Sequence, residues 1–295
     1  MIVLNDFFWI RKVPDVMANL KYVEAQKLQE RWFTADPFAF TLDYRSGKTV
    51  GFESLPIYRY DDEIVSISWA LSFVKPHRAY AELLKNWSQS VPSLREGETR
   101  SRRKLMENAF AKNLQEYFLT KSGASAAKTS FVFGDLDAHP RILKSRFSVQ
   151  RQPISMSPYP LIGDNDPIDG WYAACANASW ELAVKANVEY LGNQRYSVTI
   201  VQCAVYLYDI FDFFNRDQLL GFWSRTGVSK WPSEGSLAPI PVKPPNVKVT
   251  HGYKVTNGSY DDYRKNWNKG GDFFIFSSDK RIFPVVPPVT FMVEV

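Results

Sequence analysis

Cysteine and histidine, the residues behind most disulfide and metal frameworks, are scarce in this chain of 295 residues. The only cysteines are Cys175 and Cys203, which excludes a disulfide scaffold and suits a reducing compartment. The three histidines, His77, His139 and His251, lie far apart in the sequence. None has a ligand-like spacing to a cysteine, so we expect no zinc site. The sequence predicts neither a metal nor a cofactor.

Long hydrophobic runs are also missing. No 18 apolar residues follow one another, so we expect no membrane span. The first residues, MIVLNDFFWIRK, are interrupted by Asp6 and Arg11, and no small-residue cleavage site follows, unlike a signal peptide. The net charge of +5, from 36 basic and 31 acidic residues, is too slight for a nucleic-acid-binding stripe. We expect a cytoplasmic protein that binds no nucleic acid and that, if exported, leaves without a cleaved signal.

The common catalytic motifs are absent as well. The chain has no G-x-S-x-G, G-x-x-x-x-G-K-[ST], G-x-G-x-x-G or H-E-x-x-H pattern, so serine hydrolases, P-loop enzymes, Rossmann dehydrogenases and zincins lose support. The segment Gly134–His139 offers Asp135, Asp137 and an imidazole for acid–base chemistry. Aspartate and glycine at the end of a strand are, however, typical of turns. The sequence therefore leaves open whether the protein is an enzyme.

The stretch Asp164–Gly170 superficially resembles a calcium loop. It lacks the twelve-residue spacing and the closing glutamate of an EF-hand. Pro167 suits the first position of a helix, with Asp166 as its N-cap. We therefore interpret this stretch as a helix start.

Apolar residues at helical spacing dominate the first part of the chain. The predicted helices are Pro14–Phe33, Arg78–Ser88 and Thr99–Thr120. Glu63–Phe73 alternates at first and fits a strand or a buried helix, of which we favour the helix. We interpret Thr34–Arg59 as a loop with short extended pieces, and Gly123–Ala127 as a linker of small residues.

β-branched and aromatic residues dominate the second part. The predicted strands are Thr129–Phe133, Arg146–Arg151, Trp180–Tyr190, Tyr196–Tyr208, Asp272–Ser277 and Val289–Val295. Helices first and antiparallel strands second are typical of an α+β fold. The prediction is a mainly helical region at 1–125 and a β-rich region at 126–295 with a mostly antiparallel sheet, packed as one compact unit.

Six charged residues near strand ends are weak candidates for a catalytic site. They are Asp209, Asp212, Asp261, Asp262, Arg264 and Asp272. Carboxylates that converge at strand ends can form a hydrolytic site. Such aspartates more often accept hydrogen bonds from backbone amides in turns. If a site exists, two sheet corners would bring Asp209, Asp212, Arg264 and Asp272 together, and placement on opposite faces of the sheet would refute this hypothesis.

Several stretches together form a recognisable set. They are Trp9–Met17, Gln29–Phe33, Val205–Phe213, Asp217–Trp223, Tyr263–Trp267 and Lys269–Ser277. In this order they resemble an uncharacterised proteobacterial family, a domain of unknown function whose genes commonly accompany VgrG, PAAR and other type VI secretion components. The resemblance implies a setting among type VI secretion genes, but it assigns no catalytic residue to this chain.

This setting suggests an antibacterial effector or cargo of type VI secretion, exported through that system. The alternative is a non-enzymatic adaptor or immunity protein that binds an effector or VgrG. The proline-rich stretch 231–247 and the basic residues between Arg95 and Lys104 would suit an interface. An accessory domain with a small-ligand pocket is a third interpretation. A homodimer is an option because β-rich proteins pair through edge strands.

Overall fold

The computed structural model describes residues 8–46, 52–90, 98–156, 166–230 and 253–295. The predicted interface stretch 231–247 and most of the basic patch lie outside these described residues or their described side chains. Two compact units make up the chain. The first unit is Met1–Thr49, Ser155–Asn177 and Ile210–Phe274, and the second is Val50–Ile154, Ala178–Asp209 and Ile275–Val295. The division of the sequence at residue 125 stays a prediction.

Most α-helices of the described chain lie in its first half, and only α9 and α10 lie in the second. The α-helices are α1 (Val13–Asn19), α2 (Val23–Thr34), α3 (Leu42–Ser46), α4 (Ile67–Leu71), α5 (Val74–Ser90), α6 (Glu98–Phe118), α7 (Lys121–Ala126), α8 (Pro140–Ile142), α9 (Gly170–Ala174) and α10 (Asn257–Trp267). A π-helix, Leu143–Phe147, follows α8.

Strands dominate the second half. They are β1 (Tyr60–Val65), β2 (Phe131–Phe133), β3 (Ser148–Ile154), β4 (Ala178–Gly192), β5 (Arg195–Phe211), β6 (Leu219–Ser224), β7 (Gly227–Ser229), β8 (Tyr253–Thr256), β9 (Phe273–Ser277) and β10 (Arg281–Glu294). The α+β prediction is confirmed by this order of elements.

In the first unit, α2 packs on α1 and α9. The predicted single helix at Pro14–Phe33 is two helices, because Lys21 adopts a left-handed φ of 63° and breaks the run. The hydroxyl of Tyr22 donates to the carbonyl of Ile168, which ties the start of α2 to the segment before α9. A small sheet in the order β7-β6-β8 leads into α10, whose start carries a capping box between Thr256 and Ser259.

The larger sheet has the order β1-β9-β5-β4-β2, with β10 also on β5 and β3 also on β4. β5 runs antiparallel to β4 and β10, and β4 runs antiparallel to β2 and β3. The residues Ala178–Val184 of β4 are buried without interruption, while Asn187 and Glu189 further along are exposed. The alternation of apolar residues from Leu182 to Tyr190 predicts a strand buried on one face, but the first half of β4 is covered on both.

Three local predictions are corrected. Glu63–Phe73 is strand β1 followed by helix α4, because the Ser66 hydroxyl accepts the Trp69 N–H and starts a helix there. The supposed linker after Gly123 is helix α7, capped by the Thr120 hydroxyl. Alanine-rich sequence favours such a turn of helix.

The third correction concerns the stretch that resembles a calcium loop. Its helix, α9, begins at Gly170, and its cap is Asp169 rather than Asp166. The Asp169 carboxylate accepts the backbone N–H of Tyr172 at 2.9 Å. Pro167 therefore lies before the helix and not at its first position. The interpretation as a helix start holds, three residues later than expected.

Candidate functional site

Asp272 is the most buried of the predicted site residues in the first unit, with 3% of its surface exposed. One carboxylate oxygen accepts the indole N–H of Trp32, at 3.0 Å, and a guanidinium N–H of Arg264. The other oxygen accepts the backbone N–H of Phe40 at 3.0 Å. Burial raises the pKa of Asp272, and these three partners oppose the rise. Asp272 thus joins α2, the segment after it and α10.

The chain immediately before Asp272 is shaped by Gly270. Its φ of 103° is in the region that favours glycine. A Cβ atom there would lie 2.4 Å from the Trp32 ring. The Gly270 carbonyl accepts Nε of Arg264 at 2.8 Å, and the Arg264 guanidinium lies over the Trp32 ring at 5.2 Å. Arg264 is therefore held by a carboxylate, a carbonyl and an aromatic face.

Asp212 is paired with Arg45, a residue that the sequence analysis did not single out. The guanidinium of Arg45 donates to the Asp212 carboxylate and lies 4.3 Å from the centre of the Phe214 ring. The Asp212 side chain is 9% exposed and that of Arg45 is 30% exposed. Burial raises the pKa of Asp212 to about 6, with a further contribution from Asp272, against the opposing charge of Arg45. Asp212 therefore titrates well above the ordinary pKa of an aspartate.

The structure brings three of the four postulated residues together. Asp212 is influenced by the charges of both Asp272 and Arg264, and Arg45 acts on Asp272 as well. We call Arg45, Asp212, Arg264 and Asp272 the carboxylate–arginine cluster. Asp209 is buried on β5 and belongs to the second unit. A catalytic role for these residues stays a prediction.

Asp261 and Asp262 lie on α10 and bind Arg216. The Arg216 guanidinium contacts Asp261 and reaches Asp262 at 2.7 Å, while Lys265 contacts Asp261 at 2.8 Å. Burial raises the pKa of Asp261, but Lys265 and Arg216 together outweigh burial and lower it below its ordinary value. Both carboxylates are thus partners in an ion-pair network on α10.

Sequence analysis missed a polar cluster in the second unit around Glu181. Glu181 is 1% exposed on β4. Its carboxylate accepts Nζ of Lys144 at 2.6 Å, the Ser148 hydroxyl at 2.8 Å and the Ser179 hydroxyl at 3.0 Å. The buried hydroxyl of Tyr206, on the neighbouring strand, has a pKa well above its usual value because of burial and the Glu181 charge. We call these residues the Glu181 cluster.

No local pattern marks the Glu181 cluster in the sequence. Alternation along β4 assigns Trp180 and Leu182 to the core and Glu181 to solvent. Lys144 comes from the π-helix and Ser148 from the start of β3. The contacts that bury Glu181 therefore depend on elements up to 37 residues away.

His139 also has defined partners in the second unit. Its Nδ1 accepts the backbone N–H of Arg141 at 3.1 Å, and its Nε2 faces the Asp62 carboxylate at 3.1 Å. This assigns the proton of the neutral ring to Nε2. Burial lowers the pKa of His139, as do the charges of Arg141 and Lys280, against the opposing charge of Asp62. Because both ring nitrogens are engaged, His139 caps α8 and has no nitrogen left to serve as a general base.

Neither metal ligation nor membrane crossing finds support in the part of the chain that the structure describes. There, no group of three or more His, Cys, Asp and Glu side chains is arranged to hold a metal ion. No helix among the described residues has the length and apolarity needed to cross a membrane.

Residues 8–293 match the model of a family of unknown function, DUF6402. The chain belongs to this family. Comparison with curated proteins gave no match, and comparison with solved structures gave none either. The predicted membership of an uncharacterised family is thereby confirmed for DUF6402. The type VI secretion setting stays a prediction.

Proposed function

We propose that this DUF6402 protein is a non-enzymatic binding protein that acts in the cytoplasm as an adaptor or immunity protein. The sequence resemblance suggests a setting beside type VI secretion genes, so its expected partner is VgrG or an effector. Export is not part of this role.

The observation that carries the proposal is that both carboxylate oxygens of Asp272 already accept hydrogen bonds within the protein. A general base needs a lone pair that faces the substrate. Both Asp272 oxygens already accept from Trp32, Arg264 and Phe40. The carboxylates of Asp261 and Asp262 are likewise held by Arg216. Groups bound in this way stabilise a fold and support a binding role better than a chemical one.

A second candidate, the type VI secretion effector, is favoured by Asp212. A buried carboxyl with a pKa of about 6 can donate or accept a proton near neutral pH. Its partner Arg45 remains partly exposed and could stabilise an anion. In this role the protein would be a toxin, exported through type VI secretion, with Asp212 as its acid–base group.

Growth of a laboratory bacterium distinguishes the two roles. The full chain is expressed once in the cytoplasm and once with an added periplasmic signal. Normal growth in both compartments, with folded protein recovered, is the expected result. Killing in either compartment would contradict the binding role.

A matched pair of variants then tests the chemistry. If the wild type kills, Asp212→Asn should abolish killing and Asp262→Asn should not, because Asp262 is exposed and held in a surface ion pair. Equal killing by both variants would remove Asp212 from the mechanism. The homodimer stays a prediction, which sedimentation of the same protein would check.

A further inference from the structure

Two tryptophans lie in contact on the surface of the first unit. The rings of Trp9 and Trp267 are 5.6 Å apart, and the two residues are 44% and 58% exposed. Trp32 and Trp171, in the same unit, are fully buried. Tryptophan is highly buried on average, and exposed aromatic side chains in contact are typical of interaction surfaces.

The backbone holds this pair in place. Trp267 is the last residue of α10, which ends at Asn268 in a left-handed conformation. The buried Tyr263, one turn earlier, lies 6.3 Å from Trp267 with nearly parallel rings. Trp9 directly precedes a 3-10 turn, Ile10–Lys12, that contacts α10. A pair positioned in this way loses little conformational freedom when a partner binds.

Four exposed basic residues lie close in the sequence to the two tryptophans, namely Arg11, Lys12, Lys265 and Lys269. Lys12, Lys265 and Lys269 bind Asp15, Asp261 and Asp36 in exposed pairs. Exposed ion pairs are weak, so these lysines can exchange their present partners for the carboxylates of another molecule. We call Trp9, Trp267, Arg11, Lys12, Lys265 and Lys269 the tryptophan patch.

We propose that the tryptophan patch docks an acidic segment of a partner protein, one that also carries apolar or aromatic side chains. This inference rests on the proposed binding role and names the surface used. An aromatic centre with a rim of weakly paired basic and acidic side chains matches the anatomy of protein interfaces. A nucleic acid would need a longer stripe of unpaired cations, whereas several cations here are already paired with aspartates.

The test uses the full chain and a fluorescein-labelled random copolymer of glutamate and tyrosine, followed by fluorescence anisotropy. Polyglutamate tests charge alone, a lysine–tyrosine copolymer reverses the charge, and heparin supplies a polyanion without apolar groups. The variants are Trp9→Ala, Trp267→Ala and the double reversal Lys265→Glu with Lys269→Glu. Tyr58→Ala, at an aromatic residue that is 63% exposed in the second unit, is the matched control.

The expected result is preferential binding of the glutamate–tyrosine copolymer. Each tryptophan variant weakens it about 30-fold, as the loss of an interface anchor does. The charge reversal weakens it as well, and Tyr58→Ala leaves it unchanged. Unaltered thermal unfolding of the tryptophan variants ensures that a lost signal reports lost contacts.

Three results would overturn the proposal. They are no copolymer binding, equal binding of the lysine–tyrosine copolymer, or heparin binding that survives both tryptophan variants. The last would indicate a general polyanion site. The growth assay judges the binding role separately, since a toxic chain refutes that role whatever the patch binds, and a harmless chain with an inert patch refutes only the docking surface.

Discussion

Asp272 in the first unit and Glu181 in the second are both almost inaccessible carboxylates, but they are neutralised differently. Asp272 is paired with Arg264, whose side chain is only 11% exposed. Glu181 is paired with Lys144, whose side chain is 23% exposed, and with Arg151 at 3.5 Å, whose side chain is 59% exposed. The remaining acceptor positions are filled by the Trp32 indole and a backbone amide for Asp272, and by serine hydroxyls for Glu181.

This difference determines what happens when the carboxylate is lost. The guanidinium of Arg264 is fixed by the Gly270 carbonyl and by the Trp32 ring, so it would remain buried without its counter-charge. Lys144 also lies over an aromatic ring, that of Tyr208, at 4.7 Å. Its side chain is flexible and 23% exposed, however, so it can turn toward water. We infer that Asp272 is a rigid joint between distant segments, while Glu181 tolerates rearrangement.

The largest expected effect is that of Asp272→Ala. It should lower the free energy of unfolding by about 3–5 kcal/mol, because it leaves a buried cation unpaired. Urea unfolding followed by circular dichroism measures the loss. Asp272→Asn, which keeps an acceptor for Trp32, should lose less. A loss below about 1 kcal/mol for the alanine variant, the size of an ordinary hydrogen bond, would contradict the rigid joint.

Gly270→Ala tests the Asp272 joint by changing the backbone residue that packs against Trp32. It should lower the free energy of unfolding by about 2–4 kcal/mol, because a left-handed φ is combined with a clash against Trp32. The control is Gly192→Ala, which has a similar φ of 88° but no atom within 4 Å of the added methyl group. It should lose only about 1–2 kcal/mol. Equal losses would mean that Trp32 moves aside freely.

Glu181→Ala should be milder than Asp272→Ala. We expect a loss of about 1–3 kcal/mol, because two serine hydroxyls lose their acceptor while Lys144 escapes to solvent. Thermal unfolding or urea titration measures it. In the double variant with Lys144→Met, most of the loss should remain, since Lys144 is not left stranded. Recovery of the stability on adding Lys144→Met would show instead that the cation was trapped.

Asp212 extends the comparison of buried carboxylates to the pH dependence of folding stability. Its folded-state pKa of about 6 lies above the value of about 4 expected in the unfolded chain. The stabilising contribution of its protonated form is therefore complete below about pH 4 and is lost as the pH rises through 6. Carbon-13 NMR of the Asp212 carboxyl should give a midpoint near pH 6, and Arg45→Met should raise it further. A midpoint near 4 would mean that Arg45 outweighs burial.

The smallest effect is expected for Asp262→Asn. The Asp262 side chain is 58% exposed and its ion pair with Arg216 lies in solvent, where such pairs contribute little. Urea unfolding should give the wild-type midpoint within experimental error. A clear destabilisation would show that the α10 network, and not the Asp272 joint alone, holds the first unit.

Regular patterning made much of the fold predictable. The alternation in β4, the β-branched and aromatic residues of β5 and the helical spacing in α5 and α6 are all local signals. All four elements form close to the expected residues. Predictions failed where a single local interaction sets an element's start or end, as the Ser66 hydroxyl does for α4 and Asp169 does for α9. Short polar residues support several conformations, so pattern alone does not choose among them.

The candidate sites were predictable only in part. Asp212, Arg264 and Asp272 were found because they lie beside strand ends and a glycine pair. Their partners Arg45 and Trp32 have no sequence signal that links them to a carboxylate. Glu181 was missed because alternation predicts solvent at its position, whereas the first half of β4 is buried on both faces.

The sequence by itself determined the α+β class, the positions of most helices and strands, and membership of DUF6402, because these follow from local spacing and from residues read in order. Only the tertiary structure decided which donors each buried carboxylate meets. Asp272 meets Phe40 across 232 positions and Trp32 across 240. Pairing over such separations depends on how whole elements pack, and a buried carboxylate takes whichever donors that packing brings to it.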